Sequence, residues 1–330
     1  MCGSFFALLK KDFRLMVSSK FFLLAIGSLI LYTCYINFVY VKLDQEIFPV
    51  YLYDPEQTQD NVPDSLIPAS SLKELQNACE DGYSIGIDLS DGTAKIMMTS
   101  CGISKIDNLR HSYAVSKLSS GSAKEALIIG TNTKDMKSRR EITAEFLFFE
   151  LSAVGFLGLA AMLFKEKQMG VIRVHAILPV GKSAFILSKL ILILFADLFF
   201  SAMLTLCNLG AAASMAVLPA VLLQAGILSL IMASFGFFCA ITLPDFKQFS
   251  LLYLVLAVFI TTPVFLAGQT GIVMDWIKFH PMYHLFTAMK NAYFQTPTTN
   301  VLYYAICLLS IVLLFLLARH GLNSEMKREG

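Results

Sequence analysis

Six long apolar stretches constrain this chain more than any other feature of its sequence. A helix needs about 20 apolar residues to cross a hydrocarbon layer of about 30 Å. The stretches span about 21–41, 143–164, 184–207, 217–243, 249–268 and 300–318. Only 15% of the residues are charged, whereas soluble domains carry about 25%. The sequence therefore predicts an all-α polytopic membrane protein with six transmembrane helices.

The distribution of Lys and Arg predicts the orientation of these helices, because cytoplasmic segments carry an excess of both residues. With the N-terminus inside, 13 Lys and Arg fall in the segments that face the cytoplasm. The outer helix ends and short outer loops then hold three, Lys42, Lys278 and Lys290. We expect a multi-pass protein of the plasma (cytoplasmic) membrane with both termini in the cytoplasm.

The 100 residues between the first two stretches differ in composition from the rest. Residues 43–142 hold 10 Lys or Arg and 15 Asp or Glu, a net charge of −5, and long loops cross membranes largely regardless of charge. Their patterns predict, in order, a strand at Phe48–Tyr53, a helix from the capping box Ser71–Glu74 to about Cys79, a hairpin of Tyr83–Leu89 and Ala94–Ser100, and a helix through His111–Leu118. We expect a small extracytoplasmic α/β domain inserted between helices one and two.

Two amphipathic segments complete the predicted organisation. Residues 5–18 set apolar side chains opposite Lys10, Lys11 and Arg14, as in a helix lying on the inner membrane surface. Residues 270–298 hold a segment too polar to cross the membrane and too apolar for a free loop, which predicts an outer re-entrant element. The predicted parts are 1–42 with the surface helix and first span, the domain 43–142, and 143–330 with helices two to six.

Four polar side chains lie inside the predicted spans, where an ionised group costs a few kcal/mol. Asp197 is in the middle of the third span, Glu145 and Glu150 are in the outer half of the second, and Gln224 is in the fourth. Either these residues line a polar pathway or they join one helix to another. The two glutamates could also reach the outer interface.

The sequence shows no convincing catalytic motif. His280 and His284 stand four residues apart, a spacing that could share a metal on a helix, but Pro281 lies between them. Gly181-Lys182-Ser183 lacks the glycine that a phosphate-binding loop needs, because position 176 is Ala. We expect no enzymatic activity, no metal and no cofactor on this chain.

Seven cysteines occur without a C-x-x-C motif. Cys79 and Cys101 are the two in the predicted external domain, and an oxidising exterior would permit a disulfide between them. The sequence leaves both outcomes open.

The segment 165–182, between the second and third spans, has the most specific pattern. Charges at its start precede an apolar face from Met169 through Leu178, and Pro179 then ends the helix. Such a helix is suited to docking in a groove on a soluble partner. A solvated connecting loop would explain the charges but would expose several large apolar side chains to water.

The chain resembles the ABC exporter type-2 permease family, the membrane subunits of ATP-binding-cassette exporters. The resemblance covers nearly the whole chain. It rests on four segments in topological order: the surface helix with Lys10–Arg14, the run from Lys165–Gly170 to Leu178–Val180, Ser188–Leu190, and the outer His280–Tyr283.

The resemblance implies a permease subunit whose segment 165–182 is the coupling helix for a separate ATPase subunit, which would bind ATP and Mg. A second permease chain, identical or different, would complete the path, and no nucleic acid is involved. The residues assigned to coupling are Glu166, Gly170, Ile172, Arg173, Leu178 and Pro179. A membrane-embedded metal-dependent enzyme using His280, His284 and Asp275, or an ion-coupled carrier acting without an ATPase, stays an alternative, and the cargo is open.

Overall fold

The structure is a computed structural model that describes residues 2–18, 20–40, 48–55, 66–80, 84–91, 93–100, 104–117, 125–130, 134–177, 181–258, 275–296 and 300–329. The chain divides into two compact units. The membrane unit comprises Met1–Tyr32, Thr143–Thr205 and Val217–Gly330, and the sheet unit comprises Thr33–Ile142 and Leu206–Ala216.

Helices dominate the described residues. In chain order the elements are α1 (Cys2–Ser18), α2 (Phe21–Cys34, continued by a π-helical turn Tyr35–Tyr40), β1 (Val50–Tyr53), β2 (Leu66–Pro68), α3 (Leu72–Glu80), β3 (Ile85–Asp88), β4 (Lys95–Thr99), α4 (Ser104–Lys117), β5 (Glu125–Gly130), α5 (Lys134–Gln168), α6 (Val171–Ile177), α7 (Lys182–Leu209), α8 (Ala211–Thr242), α9 (Phe246–Leu256), a 3₁₀ helix (Asp275–Phe279), α10 (Pro281–Tyr293) and α11 (Val301–Glu329).

Five of the described helical segments are long and apolar enough to cross a membrane. They are Phe21–Phe38, Met136–Gln168, Lys182–Leu209, Ala211–Thr242 and Val301–Arg328. Together they confirm the prediction of a mostly helical, membrane-embedded protein. The predicted span 249–268 begins in α9, but residues 259–274 lie outside the described residues, so the sixth span stays a prediction.

Helix α5 forms the centre of the membrane unit. In its most apolar 18 residues 61% are buried, against 6% in the α2 span and 11% in α11. Phe156 of α5 stacks on Phe249 of α9, with 4.8 Å between ring centroids. At Gly236 of α8 the helices come so close that an added Cβ would lie 2.6 Å from the Phe156 carbonyl oxygen. In a membrane the hydrophobic effect does not drive helices together, because lipid tails are also apolar, and small residues such as glycine permit the close packing that joins them instead.

The predicted outer re-entrant element contains the 3₁₀ helix and α10. Tyr293, near the end of α10, is fully buried, and its hydroxyl lies 2.8 Å from the Thr205 hydroxyl of α7. Residues 270–274 and 297–298 of the predicted element lie outside the described residues. Its position on the outer side stays a prediction.

The sheet unit contains a five-stranded mixed sheet in the order β2-β1-β3-β4-β5. Strand β1 pairs in parallel with β2 and β3, β3 pairs antiparallel with β4, and β4 pairs in parallel with β5. The antiparallel pair confirms the hairpin that the sequence predicts, and β1 lies within the predicted strand. A sheet carrying helices is the α/β arrangement expected for this part of the chain.

Alternating side chains of the sheet meet a different helix on each face. Ile85 and Ile87 of β3 join a core with Ala114 of α4, while Gly86 between them faces Leu75 and Cys79 of α3. This alternation follows from the two-residue period of a strand.

The cap of α3 matches the predicted capping box. The Ser71 hydroxyl accepts the Glu74 backbone N–H at 3.2 Å, and the Glu74 carboxylate accepts the Ser70 N–H at 2.8 Å. Cys79 is a free thiol, and burial raises its pKa to about 11. Cys101, the partner considered for a disulfide, lies outside the described residues.

The contact between α5 and α8 can be tested at Gly236. We expect Gly236→Ala to lower the midpoint of thermal unfolding in detergent, because backbone must shift to admit a methyl group, at a cost of about 1–3 kcal/mol. Gly27→Ala on α2 is the matched control, since its Cβ would meet nothing within 4 Å. Equal midpoints for the two variants would contradict the close packing.

Candidate functional site

Four charged side chains from three helices meet inside the membrane unit, and we call them the ion cluster: Lys11 and Asp12 of α1, Glu166 of α5 and Lys189 of α7. The Lys189 Nζ lies 2.9 Å from Asp12 Oδ1 and 2.8 Å from Glu166 Oε2. The Lys11 Nζ lies 2.5 Å from Glu166 Oε1 and 3.3 Å from Asp12 Oδ1. Asp12, Glu166 and Lys189 are fully buried.

The ion cluster is balanced in charge, with two ammonium groups and two carboxylates. Removing charges from water is costly, and pairing with added hydrogen bonds offsets that cost. The Ser188 hydroxyl donates to Asp12 Oδ2 at 2.7 Å, and Lys189 Nζ lies 4.3 Å from the centroid of the Phe185 ring. Burial by itself lowers the pKa of Lys11, but the Glu166 and Asp12 carboxylates raise that pKa above its ordinary value.

Asp12 reaches the ion cluster because it lies on the buried stripe of α1. Leu8 and Met16, four residues to either side, are also buried, as the helical period requires. The amphipathic pattern of residues 5–18 places Lys10, Lys11 and Arg14 on the polar face but predicts no role for Asp12. The available signal was its spacing: an acidic residue centred in the apolar stripe needs a buried cation.

Lys167, next to Glu166, joins the end of α5 to α8 and α11. Its ammonium donates to the carbonyls of Ile241 at 2.8 Å and Leu243 at 2.9 Å. These carbonyls lie at the end of α8, where a cation complements the helix dipole. The same ammonium lies 3.6 Å from Glu325 of α11.

Gly170 turns the chain from α5 into α6. Its φ is +67°, a left-handed conformation that glycine adopts at no steric cost and that commonly ends helices. Nothing lies within 4 Å of its ideal Cβ, so the backbone angle, rather than crowding, favours glycine here.

Helix α6 has one face buried in the membrane unit and one face exposed. Ile172 is fully buried and His175 nearly so, whereas Val174 is 51% exposed and Ile177 83% exposed. Arg173 is exposed as well. Of the predicted coupling residues, Leu178 and Pro179 lie outside the described residues. The separate helix spans only Val171–Ile177, because Lys165–Gln168 form the end of α5 and Gly170 interrupts the predicted helix. Glu166 points inward into the ion cluster.

His175 lies against Phe185, with 4.7 Å between ring centroids, and its Nε2 is buried without a hydrogen-bond partner. Burial, with the positive charges of Lys11 and Lys189, lowers its pKa below the ordinary histidine value, although Glu166 and Asp12 oppose this change. The imidazole is consequently neutral at neutral pH.

The polar side chains inside the spans join helices to one another. Asp197 of α7 accepts from the Ser229 hydroxyl of α8 at 2.5 Å. Glu150 of α5 accepts from two α2 hydroxyls, Ser28 at 2.8 Å and Tyr32 at 2.9 Å. Both Asp197 and Glu150 therefore join one helix to another. The Glu150 carboxylate is hydrogen-bonded within the unit and does not need to extend to the outer membrane interface.

Gln224 and Glu145 are also buried. Gln224 of α8 accepts from the Tyr303 hydroxyl at 2.8 Å and donates to the Tyr304 hydroxyl at 3.2 Å, both on α11. Glu145 lies on α5 and has interaction partners. Hydrogen bonds of this kind hold membrane helices together.

Described residues of the membrane unit line at least two cavities. The smaller, about 270 Å³, is lined by Asp197 and Glu150 together with apolar residues of α1, α2, α5 and α7. The larger, about 680 Å³, is lined mainly by apolar residues of α5, α8, α9, α10 and α11, with His280, His284 and Ser152 among its polar groups.

His280 acts as the N-cap of α10, since its Nδ1 accepts the Met282 backbone N–H at 3.2 Å. Within the described part of the chain, no group of three or more His, Cys, Asp or Glu side chains could hold a metal ion. The side chain of Asp275 is not among those described.

No protein-family model matches this chain, and no curated protein matches it. The resemblance to the ABC exporter type-2 permease family therefore stays a prediction, and the function is inferred from the residues themselves.

The ion cluster predicts a large effect of removing Lys189. We expect Lys189→Met to destabilise the chain by about 3–5 kcal/mol, because Asp12 and Glu166 would then lie buried with too little positive charge. The measurement is the midpoint of thermal unfolding in detergent, with the exposed Lys10→Met as the matched control. A Lys189→Met midpoint equal to that of the control would contradict the ion cluster.

The lowered pKa of His175 predicts a pH dependence. Above about pH 6.5 the imidazole is neutral in both states, and as the pH falls below this value the unfolded state binds a proton that the folded state does not. Stability is then lost as the pH falls. We expect the unfolding midpoint of His175→Phe to change less between pH 7 and pH 5.5 than that of the unsubstituted chain, whereas the exposed His320→Phe should retain the full slope.

Proposed function

We propose that this chain is the membrane-spanning permease subunit of an ATP-binding-cassette exporter. The observation that supports this most is α6, a short helix held between two long apolar helices with Val174 and Ile177 exposed. A large exposed apolar side chain beside Arg173 suits a protein groove better than water. The groove belongs to a separate ATPase subunit, which binds ATP with Mg, and this chain hydrolyses nothing.

The ion cluster links the two helices that flank α6. Glu166 lies just before α6 and Lys189 just after the start of α7, and their ion pair closes the segment that contains α6. Movement of α6 by the ATPase is therefore transmitted to α5 and α7 together. In this proposal Glu166 and Gly170 position α6, whereas Arg173 and the exposed apolar face, with Leu178 and Pro179, meet the ATPase.

In the same proposal six spans cross the plasma membrane, the sixth formed by α9 and the residues that follow it. Both termini and α6 face the cytoplasm, where most of the Lys and Arg outside the sheet-containing insertion lie. The α/β domain 43–142 and the re-entrant element lie outside. A second permease chain, identical or different, completes the path.

The intramembrane polar residues support movable contacts between spans. Asp197, Glu150 and Gln224 each join a different pair of helices by hydrogen bonds that could exchange when α7 moves. Asp197 and Glu150 line one cavity, which also favours a second candidate, an ion-coupled carrier acting without an ATPase.

Ile177 provides the test of the coupling surface. When the tagged chain is purified from its native membranes, we expect an ATP-binding-cassette ATPase and its ATP hydrolysis to co-purify. Ile177→Asp should reduce the bound ATPase at least about tenfold, which corresponds to about 1.4 kcal/mol, because a carboxylate would enter an apolar groove.

Ile67→Asp is the matched control, since Ile67 is an exposed isoleucine on β2, and it should leave the bound ATPase unchanged. Equal ATPase recovery with both variants would contradict the proposed surface. Proton flux through liposomes holding this chain alone, abolished by Asp197→Asn, would instead favour the carrier.

A further inference from the structure

Arg140 presents an unpaired positive charge inside the sheet unit. The side chain lies near the start of α5 and is only 3% exposed. Its Nε and Nη1 atoms are buried and have no hydrogen-bond partner. Across the part of the chain that the structure describes, no acidic side chain pairs with it. A buried guanidinium without a counter-charge is strongly unfavourable, so this arrangement points to a missing anion.

Asn208, near the end of α7, is a second unsatisfied group in the same unit. It is 2% exposed, and both its Oδ1 and Nδ2 atoms are buried without partners. Buried amides in folded proteins are normally hydrogen-bonded. Arg140 and Asn208, both with buried side-chain atoms that lack partners, thus belong to the same unit.

Arg139 shows that these elements meet. Its Nη1 donates to Asn37 Oδ1, in the π-helical turn after α2, at 2.9 Å, and to the carbonyl of Asn208 at 3.2 Å. The last turn of α7 thus lies against the early turns of α5. Arg139 uses its donors within the protein, whereas its neighbour Arg140 keeps two buried donors unused.

The unpaired donors of Arg140 and Asn208 are suited to binding an oxyanion. A guanidinium donates charge-assisted N–H hydrogen bonds to phosphate or carboxylate oxygens, and the Asn208 amide adds N–H donors. Arg140 lies three residues before the predicted second span, 143–164. Lipid phosphates lie at about this depth, where the hydrocarbon layer ends.

We propose that Arg140, with the Asn208 amide, binds a phosphate group in the sheet unit. The phosphate belongs either to a phospholipid headgroup or to a free phosphate ion. The site does not depend on the permease proposal, since it needs neither an ATPase nor a cargo.

The test measures thermal unfolding of the delipidated full chain in phosphate-free maltoside micelles, alone, with inorganic phosphate, and with added phosphatidylglycerol. Sodium chloride at equal ionic strength controls for screening. We expect at least one phosphate compound to raise the unfolding midpoint by about 3 °C or more, as a ligand that binds only the folded state does. Arg140→Met should abolish this rise. Lys137→Met, which removes a positive charge three residues earlier in α5, should retain it.

The micelle without phosphate provides an independent readout. There Arg140→Met should unfold at a temperature equal to or above that of the unsubstituted chain, because the substitution removes an unpaired buried charge. A rise with inorganic phosphate identifies a free-ion site, and a rise with phosphatidylglycerol alone identifies a headgroup site. The proposal is overturned if neither compound acts, if Arg140→Met responds equally, or if that variant is markedly less stable without phosphate.

Discussion

The membrane unit depends on a simple electrostatic constraint: none of the buried charges in the ion cluster can be left alone. Asp12, Glu166 and Lys189 are fully enclosed, and separating any one of them leaves an uncompensated charge in a medium of low polarity. Helices α1, α5 and α7 are therefore stable as a set. Helix α1, which has an amphipathic sequence, is bound to the rest of the membrane unit by a buried carboxylate as well as by its apolar stripe.

Much of the architecture follows from local sequence patterns. Five predicted spans agree with long apolar helices because hydropathy over 20 residues reflects the thickness of the membrane. The α3 cap and the β3–β4 hairpin follow from neighbouring residues. Helix α5, however, begins at Lys134, nine residues before the predicted span, because helix formation continues through charged turns that a hydropathy criterion excludes.

The ion cluster itself could not be derived from local patterns. Lys11 and Glu166 are 155 residues apart, and Asp12 and Lys189 are 177 apart. From the sequence, Lys11 lies on the polar face of an amphipathic helix and Lys189 lies in a segment that resembles the permease family, and neither position predicts the carboxylates that both residues contact. Similarly, the partners of Asp197 and Glu150 are serine and tyrosine hydroxyls, neutral groups that give no signal in a charge pattern. Such pairings depend on which helix faces meet, and single-sequence periodicity does not specify that.

The ion cluster and α6 together limit how a partner could act on this chain. Residues 166 and 189 bracket α6 and are joined by a 2.8 Å ion pair, so α6 cannot tilt freely without straining that pair. Lys167 adds a second attachment, to α8 and α11. A force on the exposed Ile177 face is therefore distributed over α5, α7 and α8 rather than absorbed in a flexible loop. The interhelical bonds of Asp197 and Gln224 lie farther along α7 and α8, and these bonds are where such a displacement would change the contacts between spans.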